Sequence, residues 1–203
     1  LNENFLPYTH NTSKYSLNVV GGVLWQKSIL NTSVIDAEGL PIPVDDGLNL
    51  LPLYTTIAPI QTNLVSDILL SGYGRVSFSY LGKYSLNVVA RSDGSSHFAK
   101  NKKWGFFPST GLAWHLSDEQ FFQPVKTILS TARLRASYGI SGNQAIPAYG
   151  SLAQLYPLTF GFVNGVATGM VTGTPSNVNL TWETTRQVDL GIELGFAKDK
   201  YKL

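Results

Sequence analysis

The chain has 203 residues, of which 14% are charged and 12% are aromatic, and this balance excludes an intrinsically disordered protein. Fifteen basic residues against 13 acidic ones leave a net charge of +2, which is too small to indicate binding to nucleic acid. The chain has no cysteine, and its three histidines (His10, His97 and His115) lie far apart. The composition therefore argues against an enzyme, and we expect no catalytic residue, metal site or cofactor.

Six segments alternate between apolar and polar side chains, as strands with two different faces do. These segments span residues 15–26, 75–80, 84–91, 109–116, 132–139 and 187–196. A seventh begins at Tyr201. No run of about 18 apolar residues occurs, so a transmembrane helix is not expected. The pattern predicts an all-β protein built from antiparallel strands.

The connections between these strands alternate in length. Residues 81–83 and 197–200 form tight links, residues 92–103 a medium one, and residues 28–71 and 141–183 long ones. A β-sandwich has no reason to sort its loops by end, whereas an outer-membrane barrel has long external loops and short periplasmic turns. The order of the connections therefore favours part of an up-and-down barrel.

Three connections carry local signals of their own. Gly82 supplies the turn conformation between two strands that are typical of a hairpin. The sequence Asp-Gly-Ser-Ser at 93–96 predicts a turn at a strand exit, because these residues favour turns. Residues 117–130 predict a short helical turn that Ser117 would cap, with Asp118 and Glu119 in its first turn.

Aromatic residues lie near both ends of the predicted strands, on the apolar side of the alternation. Aromatic rings prefer the boundary between membrane and water, so a lipid-facing wall carries two girdles of them. The nine residues of the predicted girdles are Tyr15, Trp25, Tyr80, Tyr84, Trp104, Trp114, Tyr138, Trp182 and Phe196. The alternative is that these rings fill the core of a β-sandwich.

Charged residues of the strands take the opposite side of the alternation. They are Arg75, Arg91, Arg133, Arg135, Asp189 and Glu193. Because an arginine facing lipid at mid-bilayer costs about 2–4 kcal/mol, a barrel lumen is the expected place for them. Arg133 and Arg135 could contact an anionic or sugar substrate there. We favour the alternative that they form ion pairs with Asp189 and Glu193 or contact a plug domain.

Several blocks of the sequence resemble a known family. The stretches ARSDGSSHFAKNKKWGFFPSTGLAWHLSDEQFF and LRASYGISGNQAI resemble the SusC/RagA-like TonB-linked (TonB-dependent) outer-membrane transporters. NLTWETTRQVDLGIEL and KYSLNVVGGVLWQ look like a later and an earlier part of the same barrel domain. Their order and spacing are far more specific than a lone motif. His97 and Ala99 depart from the residues usual in the family.

The resemblance implies the fold, the location and the partners. It implies that residues 1–203 form about six or seven strands of a plugged barrel that has about 22 strands, with the plug, the TonB box and the remaining strands absent. It also implies the outer membrane of a Gram-negative bacterium, energy from the TonB complex, a SusD-like surface lipoprotein as lid, and a dimer of barrels. The substrates implied are oligosaccharides or, in some members, peptides.

The long loops are the expected place for substrate contact. Four aromatic residues of the loop at 141–183 are candidates to stack on a substrate, namely Tyr149, Tyr156, Phe160 and Phe162. Packing within the loop would explain them equally well. The functional alternative to a transporter is a soluble β-sandwich that serves as a binding module or adhesin, with no need for lipid.

Overall fold

The computed structural model describes residues 1–39, 47–58, 60–162, 165–196 and 200–202. It is an all-β structure whose main sheet has eight strands in the order β1-β2-β5-β6-β7-β8-β11-β12. The strands are β1 (Asn2–Asn11), β2 (Tyr15–Val34), β3 (Ala37–Glu38), β4 (Thr56–Ile57), β5 (Gln61–Tyr80), β6 (Tyr84–Ser95), β7 (Trp104–His115), β8 (Leu129–Asn143), β9 (Leu155–Phe162), β10 (Gly165–Thr172), β11 (Glu183–Phe196) and β12 (Tyr201–Lys202). No helix in the described part of the chain is long and apolar enough to cross a membrane.

The main sheet contains all six predicted strands and the seventh at Tyr201, which pairs with Phe196 in an antiparallel ladder. β1 was not predicted. Both of its faces mix polar and apolar residues, since Asn4 shares one face with Leu6 and Glu3 shares the other with Phe5. Pro7 further hides the strand, because proline has no backbone N–H to donate to a ladder and is rare in strands.

The tight link between β5 and β6 forms as predicted. Tyr80 and Tyr84 close the ladder, and the N–H of Lys83 donates to the carbonyl of Tyr80 at 3.0 Å. Gly82 has a φ of +69° and Leu81 a φ of +51°, so both occupy the left-handed region. Gly82 adopts this conformation without steric cost, whereas Leu81 does so with some strain.

Several strands are longer than the alternation predicted. β2 and β5 have 20 residues each, so much of the predicted loop at 28–71 is strand. β6 continues to Ser95, so the turn predicted at 93–96 is wrong for its first three residues, which are held in ladders with β5 and β7. Polar residues such as Asp93 lie in the strand because they bond to neighbours in the sheet.

The chain divides into two compact units. One consists of Leu1–Gln26 and Ile68–Leu203, and the other of Lys27–Asp67. The second unit holds residues 27–34 of β2 and 61–67 of β5, a 3-10 turn at Gly47–Leu53, and the short ladder of β3 with β4. A hydrogen bond from the N–H of Ala58 to the carbonyl of Asp36, at 2.8 Å, extends that ladder.

The short helical turn between β7 and β8 is confirmed, as two 3-10 turns at Leu116–Asp118 and Gln120–Val125. The prediction that Ser117 caps it is wrong. Ser117 lies buried inside the first turn, and neither turn has a hydrogen bond from a capping side chain.

The two faces of the main sheet differ in chemistry. Directly paired residues of an antiparallel ladder point to the same side, so the ladders assign each residue to a face. Tyr84, Trp114 and Leu134 are linked in this way, and their side defines the apolar face. Arg135 and Gly191 are paired on the other side, which we call the polar face.

The buried core lies at the end of the sheet where the long connections emerge. Phe98, Phe107 and Trp182 form a cluster in which the Trp182 ring centroid lies 5.1 Å from each of the other two. Only 9% of Trp182 is exposed, and its indole N–H donates to the carbonyl of Lys103 at 2.8 Å. The prediction that Trp182 belongs to an aromatic girdle is therefore wrong, because this ring is buried against Phe98 and Phe107 and cannot contact lipid.

Candidate functional site

The polar face carries an ion-pair cluster between β8 and β11. Arg133 lies directly opposite Glu193 in the ladder, and its Nη1 is 3.4 Å from Glu193 Oε2. Arg135 Nε is 3.0 Å from Glu193 Oε1, so one carboxylate holds two guanidinium groups. The Nε of Arg133 is buried and has no hydrogen-bond partner among the described residues. The cluster thus has an excess of one positive charge.

The remaining predicted charges of this face are arranged differently. Asp189 accepts hydrogen bonds from the Ser137 hydroxyl at 3.2 Å and from the Gln187 amide at 3.0 Å. Arg75 lies opposite Val89, and no ion pair joins it to another described residue. Both line a concave region of about 730 Å³ on the polar face, together with Asn87.

Arg91 is held by a separate network on the same face. Its Nε donates to both carboxylate oxygens of Asp93, at 2.7 and 2.8 Å, and its Nη2 donates to the Ser71 hydroxyl at 2.9 Å. The guanidinium carbon lies 5.9 Å from the centroid of the Tyr73 ring. Ser71 and Asp93 are buried, so this network is part of the wall itself.

The Tyr73 hydroxyl extends the network to β1. It donates to Glu3 on β1 at 2.8 Å, across the intervening strand β2. The ring can cross because residue 22 is glycine, where a Cβ would lie 2.6 Å from Tyr73 Cζ. Neither Tyr73 nor Ser71 was predicted, since no sequence signal links residues on three different strands.

The other predicted girdle residues take several environments. Trp25, Tyr80, Tyr84, Trp104 and Tyr138 are exposed, and Tyr15 and Trp114 are half-buried. Phe196 follows a register shift at the end of the ladder with β8, so the alternation does not carry through to it. The ring of Trp104 lies over Gly94, its partner in the ladder, where a Cβ would come within 2.9 Å of Trp104 Cε2.

Glu119 joins the girdle residues at the end of the sheet where the short connections lie. Its carboxylate accepts hydrogen bonds from the Tyr84 hydroxyl at 2.5 Å, the Lys83 ammonium at 3.0 Å and the Trp114 indole at 3.2 Å. These donors, with Tyr84 first, lower the pKa of Glu119 to about 2. The Tyr84 and Trp114 rings stack with centroids 6.2 Å apart.

The connection between β8 and β11 contains no Asp, Glu, Lys, Arg or His. It includes the hairpin of β9 and β10, which was not predicted because apolar residues occur on both of its faces and no clear alternation results. The ring of His97 fixes the start of this connection, with Nδ1 2.8 Å from the carbonyl oxygen of Ile146. Leu180 and Trp182 pack its end into the buried core.

Of the four candidate aromatic residues in this connection, Tyr149, Tyr156 and Phe160 are exposed. The Phe162 side chain lies outside the described part of the structure. Tyr156 and Phe160 share one face of the hairpin, since they pair with Val171 and Ala167. Tyr149 lies apart, in a turn with a φ of +64°.

Glycines on β10 and just after it hold these two rings in place. A Cβ at Gly169 would lie 3.0 Å from Phe160 Cε2, and a Cβ at Gly173 would overlap the Tyr156 ring. Each ring therefore packs against the backbone at a glycine, and 50% of Tyr156 and 41% of Phe160 remain exposed. The sequence by itself shows that this connection is uncharged and contains these glycines. Which glycine lies beside which ring depends on the register of the hairpin.

Residues 3–203 match the family model described as TonB dependent receptor-like, beta-barrel. The chain belongs to this family. It is 38% identical over 199 residues to TonB-dependent receptor P26 of Formosa agariphila, covering 95% of this chain and 19% of that protein. It is 36% identical over 138 residues to TonB-dependent receptor SusC of Bacteroides thetaiotaomicron, covering 66% of this chain and 14% of that protein.

The fold also matches a solved transporter. The structure of the RagAB peptide transporter superposes on 98% of this chain with a TM-score of 0.81 and 24% identity, and the match covers 22% of that chain. The eight-stranded sheet is thus part of a TonB-dependent β-barrel of the SusC/RagA type, as the resemblance implied. Members of this family are outer-membrane receptors and transporters. The chain spans about a fifth of the length of the relatives it matches.

Proposed function

We propose that this chain is a wall segment, with its loops, of an active transporter in the outer membrane of a Gram-negative bacterium. The observation that carries the proposal is the separation of the two faces of the main sheet. The apolar face exposes Leu112, Leu190 and Ile192, while Arg135 and Glu193 lie on the polar face. A two-faced sheet of this kind suits a barrel, with lipid on one side and an aqueous lumen on the other.

The energy source and the lid follow from the relatives. One is named SusC, and several are named TonB-dependent receptors. We infer that the complete protein couples to the TonB complex through parts outside this chain and works with a SusD-like lipoprotein lid. The ion pairs of the polar face then stabilise the lumen wall. Arg75 is left as a cation that a plug or a substrate can contact.

For the substrate we propose oligosaccharides, with peptides as the alternative because the matched solved structure is a peptide transporter. The uncharged connection between β8 and β11 favours oligosaccharides over peptides as the substrate. Tyr156 and Phe160 offer exposed ring surface to a neutral ligand, and the Tyr156 hydroxyl, which donates to Gln154 Oε1 at 2.7 Å, adds neutral polar groups beside them. Aromatic rings beside neutral polar groups suit sugars, whose surface carries both C–H and O–H groups.

The experiment that tests the function is uptake in cells that carry the complete gene. We expect deletion of the gene, and separately deletion of tonB, to abolish growth on the transported oligosaccharide or peptide. We also expect the complete protein in the outer-membrane fraction. Uptake that continues without TonB, or a complete protein recovered in the soluble fraction, would contradict the proposal.

The contribution of the hairpin can be tested by substitution. Replacing both Tyr156 and Phe160 with Ala removes the two ring faces, so we expect substrate affinity to fall at least tenfold while the amount of assembled barrel stays unchanged. The matched control replaces Val166 and Met170, exposed residues on the other face of the same hairpin, with Ala. Equal losses in the two double variants would show that the rings make no specific contact.

A further inference from the structure

The connection between β7 and β8 differs from the other short connections of the sheet. It has 13 residues (116–128), whereas residues 12–14 and 81–83 have three each. We propose that residues 116–128, named here the anchor segment, lie in the lipid headgroup region of the adjacent leaflet and insert apolar side chains among the acyl chains. This inference rests on the proposed function, because it requires that the apolar face contacts lipid.

The anchor segment lies in the row of short connections at one end of the sheet. The N–H of Leu81 donates to the carbonyl of Lys14 at 2.6 Å, which joins the connections at 12–14 and 81–83. The N–H of His115 donates to the carbonyl of Lys83 at 2.8 Å, which places the start of the anchor segment beside them. All three connections therefore meet the same membrane boundary.

The anchor segment exposes three large apolar side chains. Phe121 is 65% exposed, Val125 47% and Ile128 73%. In a connection that projects into water, such a group of exposed apolar side chains would be unfavourable. Apolar side chains at the headgroup boundary are typical of segments that lie in the interface.

Ring contacts connect this group to the apolar face. The Phe121 ring packs edge-on against Trp114, with centroids 6.4 Å apart. Trp114 in turn stacks on Tyr84, its partner in the ladder between β6 and β7. Phe121 therefore extends the row of rings by one position beyond the end of the strands, on the side of the sheet that faces lipid.

The polar groups nearby fit a boundary between lipid and water. Glu119 accepts hydrogen bonds from the Tyr84 hydroxyl, the Trp114 indole and the Lys83 ammonium, so these donors are paired without water. Lys126 Nζ lies 3.7 Å from Asp118 Oδ1 within the same segment. The described charges of the anchor segment are thus paired, and its rings and methyl groups remain free for lipid.

Cysteine labelling of the complete protein tests this proposal, since this chain has no cysteine. In a background where cysteines elsewhere are replaced, single cysteines at Phe121 and Ile128 are labelled with an NBD fluorophore. The protein is then reconstituted in phosphatidylcholine vesicles with 5-doxyl lipid, whose nitroxide lies just below the headgroups. We expect quenching at both positions at least twofold stronger than at Gln123, an exposed residue of the same segment.

Two further labels separate the possible failures. Leu112 on the apolar face should be quenched, and Ala113, its neighbour on the polar face, should not. If Leu112 is quenched but Phe121 and Ile128 match Gln123, the anchor proposal is wrong and the lipid-facing wall stands. If Leu112 is quenched no more than Ala113, the membrane assignment itself fails. Heat-modifiable mobility on SDS gels confirms that each labelled variant is folded.

Discussion

At the scale of single residues, the polar side chains of this wall are mostly paired with one another. Arg91 contacts Asp93, Ser71 and the Tyr73 ring at once, and of these partners Ser71 and Asp93 are buried. Glu119 likewise accepts three hydrogen bonds at the end of the sheet. Both residues therefore join neighbouring strands or turns, and their removal leaves polar partners unpaired.

Replacing Arg91 with Ala should destabilise the complete protein by about 2 kcal/mol. Breaking a fully buried ion pair costs roughly 3–5 kcal/mol, and the cost is lower here because the Arg91 side chain is partly exposed. Replacement with Lys should cost less, since the charge stays while the planar guanidinium that reaches both Asp93 and Ser71 is lost. Urea unfolding in detergent measures both variants. Equal stability of wild type and Arg91→Ala would show that the network contributes nothing.

The Glu119 network predicts a pH dependence. The pKa of Glu119 is about 2 in the folded protein, below its ordinary value of 4.5, so the folded state prefers the carboxylate. The resulting stabilisation is complete above about pH 5 and is lost as the pH falls towards 2. We expect wild type to be more stable than Glu119→Gln at pH 7, and the difference to shrink between pH 5 and 2. A difference that is constant across this range would refute the assignment.

At the scale of elements, close packing joins β7, β8 and the start of β11. The ladder of β7 with β8 ends at Ser109 and Gly139, and the Phe107 ring lies near both Gly105 and Gly142 beyond that point. The ring then packs against Trp182 just before β11. Glycines are required at both positions because a side chain would occupy the space of the ring.

Replacing Gly105 with Ala should therefore destabilise the protein by about 1–3 kcal/mol through overpacking. Its new Cβ would overlap the Phe107 ring and lie 3.0 Å from Trp182 Cδ1. Adding Phe107→Leu should restore part of the loss. The matched control is Gly111→Ala on the same face of β7, where the nearest atom is 4.0 Å away and no loss is expected. Thermal unfolding of the three variants gives the comparison, and equal effects at the two glycines would contradict it.

At the scale of the whole molecule, the sheet presents one apolar and one polar surface, and the apolar surface has no protein layer over it among the described residues. Val88, Leu112 and Leu190 lie on that exposed surface. A soluble sandwich would cover such a face with a second sheet. Family membership and the exposed apolar face together explain why a transporter wall suits this sequence better than a free-standing module.

Neighbouring residues of β6 test this surface assignment. Val88→Arg places a charge on the apolar face, where it should cost about 2–4 kcal/mol in a bilayer and lower the yield of assembled barrel. Asn87→Arg places the same charge on the polar face, where we expect a cost within about 0.5 kcal/mol, as for an ordinary surface substitution. Unfolding of the complete protein from phospholipid vesicles measures both. Similar costs at the two positions would rule out a lipid-facing apolar surface.

The period-two alternation by itself determined the class of fold, six strands, the hairpin turn at Gly82 and the side on which Arg135 and Glu193 lie. It could do so because successive side chains of a strand point to opposite faces, which is a local property of the backbone. Only the tertiary structure decided that Asn2–Asn11 is a strand paired with β2, that Trp182 is buried and that Glu119 joins two turns. Each of these depends on contacts between residues far apart in the chain, where register and packing, and not local pattern, choose the partner.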